Sequence, residues 1–428
     1  MHIAPITALI GLTLREALRR RAPVILAVFA PVLALVAGAR PLATPADVPG
    51  LVQTAIAVTF AFATLAIVLI GAGFVPRDLK TRTAYLVMTR PITPRGYVAG
   101  RALGVAAVAV VLAVAMSAVA WGYIALRMAT ATADVRSGLV AHRTVDAAPL
   151  RFRHTADDLP VRIPPSAGRQ RVDGGQGIVA IARFPGAAGR AMRTERGGGE
   201  VVTLRITAGV EGPEKYMPLV VRAGDYEAVH RVADREAALV ELPAAEAIDG
   251  DDIVVRLRPG SPRMAIDFIA ERLTVLEPPA PVAANALAET AVLAAALVVT
   301  GMLAVMVSTF SGFAVAAVTT LLLVAVGYFS QGLAELLGVY GAAESVTSQS
   351  AFDQVLAKIG LVLRPLVNGL RLTIPNLAAY DLSDWFDRSL AVPWSTVAVR
   401  VARSAVMAGL FVLVGCFAMS RRETAGRQ

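Results

Sequence analysis

The residues with the clearest chemical potential lie in one short basic segment, residues 75–103. This segment separates two long apolar runs and carries six basic side chains against the single acid Asp78. The basic residues are Arg77, Lys80, Arg82, Arg90, Arg95 and Arg101. Such a cluster beside apolar runs either fixes the orientation of a membrane protein or forms contacts with a cytoplasmic partner protein.

The spacing within this segment predicts a helix followed by a turn. At about 100° per residue, four residues fall on one mildly apolar face. They are Leu79, Thr83, Leu86 and Val87. Pro91 has no backbone N–H and is expected to end the helix near Arg90. Pro94 and Gly96 are then expected to turn the chain back towards the next apolar run.

The run from Asp78 to Gly100, DLKTRTAYLVMTRPITPRGYVAG, resembles the first cytoplasmic loop of type-2 ATP-binding-cassette (ABC) export permeases. That family shows an acid, a Gly-Thr or Arg-Thr pair, a Leu-rich turn, a basic-Pro-Ile/Val-Ser/Thr phrase, and then Arg and Gly. Asp78 stands where the family more often has Glu. The resemblance implies a coupling helix that is pressed by a separate ATPase subunit. Its implied contacts are Asp78, Arg82, Thr83, Leu86, Arg90 and Pro91.

A second phrase, residues 372–382, resembles a Pro-Asn element that precedes the last membrane span in permeases grouped with multi-copper enzyme maturation and gliding systems. The resemblance also implies a second permease subunit, identical or different, beside this chain. It implies no cofactor.

Motifs that would support catalysis by this chain are absent from its sequence. Only three lysines occur and none follows a glycine, so there is no Gly-x-x-x-x-Gly-Lys-Ser/Thr loop for phosphates. Neither His-Glu-x-x-His nor Gly-x-Ser-x-Gly occurs. The sequence therefore predicts a protein that is not itself an enzyme, and any ATPase must be another subunit.

No metal site is predicted either. His142, His154 and His230 show no recurrent ligand spacing with the methionines around them, and Cys416 is the only cysteine. Two acids lie at membrane depth near the ends of apolar runs, Glu289 and Glu335. An ionisable side chain there suggests a transport path, although both are near enough to an end to reach water.

The composition places the chain in a membrane. It has 428 residues, of which 56% are hydrophobic, and a mean hydropathy of +0.62. Several runs reach the roughly 20 apolar residues that cross a bilayer. Six spans are predicted, at residues 22–39, 51–75, 98–126, 284–309, 313–338 and 396–419. Residues 4–21 are predicted to form an interfacial helix. Residues 22–39 are interpreted as an uncleaved span rather than a signal peptide.

Charge assigns the sides of the membrane. Residues 1–22, 76–101 and 420–428 hold 13 basic residues against three acids, which favours a cytoplasmic position for all three segments. Residues 127–283 hold 21 basic and 21 acidic residues and are therefore neutral. A neutral soluble domain argues against a nucleic-acid partner.

The amino-acid composition also changes in residues 127–283, where Gly, Pro and charged residues become frequent. Val202, Leu204 and Ile206 alternate with polar residues, and similar alternation recurs at residues 253–257 and 264–268. Short alternating runs between turns predict an all-β sandwich or small barrel. Within residues 339–394, the charges of the 352–374 stretch favour outer re-entrant or interfacial helices.

The sequence thus predicts an α-helical integral membrane protein of the cytoplasmic membrane, with six transmembrane helices. An all-β extracytoplasmic domain is inserted between helices three and four. The domain boundaries are 1–126, 127–283 and 284–428. Two functions remain open. One is the permease subunit of an ABC exporter, with an ABC ATPase, a second permease subunit and the lipid bilayer as partners. The other is a membrane-anchored extracytoplasmic ligand-binding or sensor protein without an ATPase partner.

Overall fold

A computed structural model shows two compact units. One comprises Met1–Val140 with Pro281–Gln428 and is helical; the other, Ala141–Ala280, consists mainly of strands. The structure describes residues 3–20, 22–81, 93–155, 158–163, 170–196, 199–211, 216–234, 237–268, 273–342 and 376–425.

The helical unit is formed by long apolar helices and short connecting ones. They are α1 (Ile3–Arg20), α2 (Ala22–Gly38), α3 (Asp47–Lys80), α4 (Pro94–Thr130), α5 (Ala133–Arg136), α7 (Val282–Phe310), α8 (Phe313–Ala342), α9 (Ser383–Asp387) and α10 (Trp394–Ala425); α6 (Ala244–Ala247) belongs to the other unit. The predicted interfacial helix at residues 4–21 corresponds to α1.

Four of the described helices, α3, α4, α7 and α10, are long and apolar enough to cross a membrane. Taken together as one span, α1 and α2 would add a fifth, and the apolar part of α8 is shorter, Phe313–Phe329. Helices of this length and composition are consistent with a membrane protein. The count of six spans stays a prediction.

The two helices that flank the basic segment extend further into it than their apolar runs indicated. Helix α3 continues through Pro76 to Lys80, and α4 begins at Pro94 rather than at 98. Pro94 occupies the first helical position, where no backbone N–H is needed. The Thr93 hydroxyl caps this end by accepting a hydrogen bond from the Gly96 N–H at 3.1 Å. Pro94 and Gly96 therefore form the first turn of α4 and not a separate turn.

Helix α7 packs against α3, α4 and α10. Glycines allow the close approach: a Cβ at Gly71 would lie 3.0 Å from Ala304 Cβ, and one at Gly301 would lie 2.8 Å from Val105 Cγ1. Small residues at helix contacts let backbones approach closely in a membrane, where packing replaces the hydrophobic driving force.

The β unit has fifteen strands in the part of the chain that the structure describes. They are β1 (His142–Asp146), β2 (Arg151–His154), β3 (Pro160–Val161), β4 (Gln170–Asp173), β5 (Ile178–Phe184), β6 (Arg193–Arg196), β7 (Gly199–Thr207), β8 (Gly209–Glu211), β9 (Tyr216–Ala223), β10 (Tyr226–Ala233), β11 (Ala237–Pro243), β12 (Ile248–Asp249), β13 (Asp252–Pro259), β14 (Ala265–Phe268) and β15 (Leu273–Pro279), with α6 at Ala244–Ala247.

These strands form three antiparallel sheets. A five-stranded sheet has the order β1-β15-β7-β11 with β6 beside β7, and a seven-stranded sheet has the order β10-β9-β13-β5-β2-β3 with β12 beside β13. The third sheet is β4-β14-β8. Alternate residues of the two larger sheets, such as Leu204 of β7 and Val255 of β13, meet in one apolar core. The strands predicted around residues 202–206 and 253–257 are confirmed.

Candidate functional site

The basic segment emerges from a buried polar cluster that joins its two ends. Asp78 lies in the last turn of α3, and Tyr97 and Arg101 lie one turn apart near the start of α4. The Tyr97 hydroxyl donates to Asp78 Oδ2 at 2.6 Å, and Arg101 Nη2 donates to the same oxygen at 2.5 Å. All three residues are buried. One carboxylate therefore ties the helix that enters the segment to the helix that leaves it.

Arg101 extends this cluster to α1. Its Nη1 donates to Thr13 Oγ1 at 3.0 Å, and the Thr13 hydroxyl donates to the Leu9 carbonyl at 2.8 Å. The guanidinium also lies 5.3 Å from the centre of the Phe74 ring, within the range of a cation–π contact. Among the described residues, Arg101 Nε has no hydrogen-bond partner. Arg101, itself in α4, thus contacts both α1 and α3.

Glycines on α4 permit α1 to lie close enough for these bonds. A Cβ at Gly104 would lie 2.6 Å from Thr13 Cβ, and a Cβ at Gly100 would lie 3.0 Å from Leu9 Cδ1. Real Cβ atoms do not approach other heavy atoms to 2.6 Å, so a larger side chain at Gly104 would displace α1. Glycine at these two positions therefore allows α1 to pack against the start of α4, at one end of the basic segment.

A second, more exposed contact joins α1 to α3. Arg77 Nη1 donates to Glu16 Oε1 at 2.8 Å, with the arginine side chain 44% exposed. An exposed ion pair of this kind contributes little to stability because water screens it. It fixes orientation more than it adds free energy.

The described residues include only one of the six predicted ATPase contacts, Asp78. Its side chain is buried and faces Tyr97 and Arg101 rather than solvent. The other five, which are Arg82, Thr83, Leu86, Arg90 and Pro91, lie outside the described residues. The structure thus brings Asp78 together with residues that the sequence interpretation did not assign to a site.

Tyr97, Thr13 and the role of Arg101 were missed from the sequence. Arg101 was counted only as one more positive charge of the basic segment. A usable signal exists, because Tyr97 and Arg101 are four residues apart and therefore share one face of a helix. The partner on α1 could not be read in this way, since residues 13 and 101 meet only through tertiary packing.

The two acids proposed for a transport path are in different helices. Glu289 lies in α7, is 4% exposed, and its Oε2 accepts a hydrogen bond from the Ser117 hydroxyl of α4 at 2.9 Å. No ion pair to Glu289 occurs within the described ranges. Glu335 lies in α8, but its side chain is outside the described part of the structure. Of the two acids, Glu289 is thus the one whose buried polar surroundings are described.

At the start of α7, Asn285 joins that helix to the chain that precedes α10. Its side chain donates to the Leu390 carbonyl and accepts from the Val392 N–H, both at 3.0 Å.

Of the Pro-Asn phrase, Asn376 is described and caps a 3₁₀ turn by accepting from the Ala379 N–H at 3.3 Å. Burial raises the pKa of Tyr380 in that turn. The predicted re-entrant stretch at 352–374 lies outside the described residues.

Within the ranges that the structure describes, no group of three or more His, Cys, Asp or Glu side chains is placed to hold a metal ion. Comparisons of the chain with protein-family models, with curated proteins and with solved structures found no match. The function is therefore inferred from the geometry of the cluster around Asp78 and from the sequence of the segment that it supports.

Proposed function

We propose that this chain is the permease subunit of an ABC exporter, and that the basic segment after Lys80 receives the motion of a separate ATPase subunit. The proposal is carried by the bonds from Asp78 to Tyr97 and Arg101, because they fix both ends of that segment to each other. A segment with a fixed base can transmit a push into α3 and α4, whereas an unanchored loop would absorb it.

In this proposal Asp78 acts from within the fold. Arg82, Thr83, Leu86, Arg90 and Pro91 form the surface that contacts the ATPase, and Asp78 holds the base of that surface in place. Buried, charge-assisted hydrogen bonds suit this positioning role because their geometry is well defined.

The exposed apolar surface of α10 is the observation that supports the two remaining proposed partners, the lipid bilayer and a second permease subunit. Val399, Val406 and Leu413 are each more than 60% exposed, and only 22% of the most apolar stretch of this helix is buried. In a membrane such a surface contacts lipid or another helix. We assign it to the lipid bilayer and to a second permease subunit.

The full arrangement is a multi-pass protein of the cytoplasmic membrane with six spans, in which α2 and α8 supply the fifth and sixth. The termini and the basic segment are on the cytoplasmic side, as the positive charge of these segments favours. The β unit is then extracytoplasmic. ATP hydrolysis would drive substrate export or transmit force to the β unit.

Charge reversal tests this proposal. Arg82→Glu and Arg90→Glu should uncouple ATP turnover by the purified complex while leaving membrane insertion intact. Arg19→Glu is the matched control, since Arg19 is an exposed arginine of α1 outside the contact surface. Unchanged ATPase association and turnover in both reversal variants would contradict the proposed contact surface.

The alternative is a membrane-anchored protein whose β unit binds a ligand without any motor. It predicts that the chain inserts and functions with no ATPase bound. Purification in mild detergent distinguishes the two, because the permease proposal requires an ATPase with a phosphate-binding loop in the complex.

A further inference from the structure

The outer face of the seven-stranded sheet carries an array of arginines, although the whole β unit is neutral. Strand β13 shows the pattern most clearly: Ile253, Val255 and Leu257 are buried, whereas Arg256 and Arg258 alternate with them and are exposed. Strand register extends the same face to the neighbouring strands. This arginine face consists of Arg151, Arg153, Arg183, Arg222, Arg231, Arg256 and Arg258.

Part of this positive charge is compensated within the sheet. Arg153 pairs with Asp158, Arg183 with Asp252, and Arg258 with Glu227. The remaining arginines of the face, Arg151, Arg222, Arg231 and Arg256, form no ion pair among the described residues. Positive charge is thus in excess on this face.

Two arginines of this face are direct neighbours across a pair of strands. Arg256 of β13 is directly opposite Arg222 of β9 in the antiparallel register. Like charges at directly opposed positions destabilise a sheet. Glu227 of β10 lies opposite Arg222 on its other side, but its carboxylate pairs with Arg258, so a bound anion would relieve the repulsion that remains between Arg222 and Arg256. Two clefts adjoin the pair, of about 240 and 400 Å³. Arg153, Ile181 and Arg256 line both clefts.

The spacing of the arginines favours one class of anion. Arg256 and Arg258 are two residues apart on β13, as are Arg151 and Arg153 on β2, which corresponds to about 6.6–6.8 Å along each strand. Alternate side chains of an extended peptide repeat at the same distance. Aliphatic side chains such as Ile181 lie between the arginines. Among the residues that the structure describes, no Phe, Tyr or Trp lines either cleft to offer a platform for base stacking.

We propose that the arginine face binds an extended acidic polypeptide segment that runs along β13. One carboxylate is held by Arg256 and Arg222 together, and the next alternate carboxylate is held by Arg258. Guanidinium groups bind carboxylates through two parallel hydrogen bonds, which favours this pairing over a diffuse attraction. The inference does not depend on whether an ATPase drives the chain.

The test measures binding of fluorescein-labelled peptides to the full-length protein in nanodiscs of zwitterionic lipid, by fluorescence anisotropy. One peptide alternates Glu and Ser, and a second has the same composition in two blocks. We expect the alternating peptide to bind more tightly than the block peptide. Arg256→Gln should weaken its binding about tenfold or more, the loss expected for one charge-assisted contact.

Arg263→Gln is the matched control, because Arg263 is an exposed arginine of the β unit outside the arginine face. Arg222→Gln gives a second, independent measurement should Arg256→Gln fail to fold. Equal affinity for the two peptides, or equal loss from Arg263→Gln and the face variants, would overturn the proposal. Tighter binding of a single-stranded oligonucleotide, or of phosphatidylglycerol vesicles, through Arg256 would also overturn it.

Discussion

Arg101 and Asp78 form a buried ion pair between the helices on either side of the basic segment, with Nη2 and Oδ2 2.5 Å apart. The arginine is 2% and the aspartate 7% exposed. Removing one member of such a pair leaves the other charge buried without a partner, which costs more than the pair itself contributes. The pair therefore constrains how α3 and α4 can move relative to each other.

Arg101→Met should lower the free energy of unfolding by about 3–5 kcal/mol, because the Asp78 carboxylate would remain buried with only the Tyr97 hydroxyl. The double variant Asp78→Leu with Arg101→Met should be less destabilised than the sum of the single changes. Thermal unfolding in detergent, followed by tryptophan fluorescence, measures both. Additive losses would mean that the two side chains do not interact.

Gly104→Val should separate α1 from α4, since a Cβ at this position already lies 2.6 Å from Thr13 Cβ. Overpacking of this kind costs about 1–3 kcal/mol. Gly122→Val on the same helix is the control, because a Cβ there meets nothing within 4 Å. The comparison is the unfolding temperature of the two variants. Equal temperatures would contradict the close approach of α1.

Glu289→Gln should retain the fold, because the amide oxygen can still accept the Ser117 hydrogen bond; we expect a stability change of about 1 kcal/mol. The variant cannot carry a charge or exchange a proton at this position. ATP-driven activity of the complex should therefore fall if Glu289 lies on a transport path, as proposed. If neither the ATP-driven activity nor the unfolding temperature of the variant changes, Glu289 does not lie on a transport path.

Asp252 should make the β unit sensitive to acid. The Gly186 N–H and then the Arg183 guanidinium lower the pKa of Asp252 below 3.8. Because the pKa is lower in the folded state, the carboxylate stabilises the fold above about pH 4, and this contribution is lost as the pH falls through the folded pKa. Hydrogen exchange at the Gly186 amide should be faster in Asp252→Asn at pH 7, and the difference from the unsubstituted protein should narrow as the pH is lowered through the folded pKa of Asp252. A difference that stays constant as the protein is acidified would exclude this ionisation as the cause.

Local patterns in the sequence were sufficient for much of the fold. The alternation at residues 202–206 and 253–257 predicted strands that the structure contains, because the side-chain period of a strand is directly visible in one buried face. The apolar runs predicted long helices, but their ends were misplaced at Pro76 and Pro94. Pro94 was expected to turn the chain, whereas at the first helical position it is compatible with a helix. Pro76 lies within α3, beyond the predicted end of the apolar run at residue 75.

The site was less accessible from the sequence. Asp78 was singled out through its neighbours in a motif, but its bonds with Tyr97 and Arg101, and the bond from Arg101 to Thr13, depend on three helices meeting. The arginine face was hidden for a similar reason. Counting charges over residues 127–283 gave a neutral total, and only the register of β13 with β9 and β5 places the arginines on one side.

The most direct test of the central claim is a photo-crosslinker placed at position 86 of the full-length protein in its native membrane. The account predicts a covalent adduct with a polypeptide that carries a Gly-x-x-x-x-Gly-Lys-Ser/Thr loop, and no such adduct from position 229 of the β unit. Absence of that adduct at position 86 in correctly inserted protein would contradict the account. Labelling of position 86 by a membrane-impermeant reagent from outside the cell would contradict it as well.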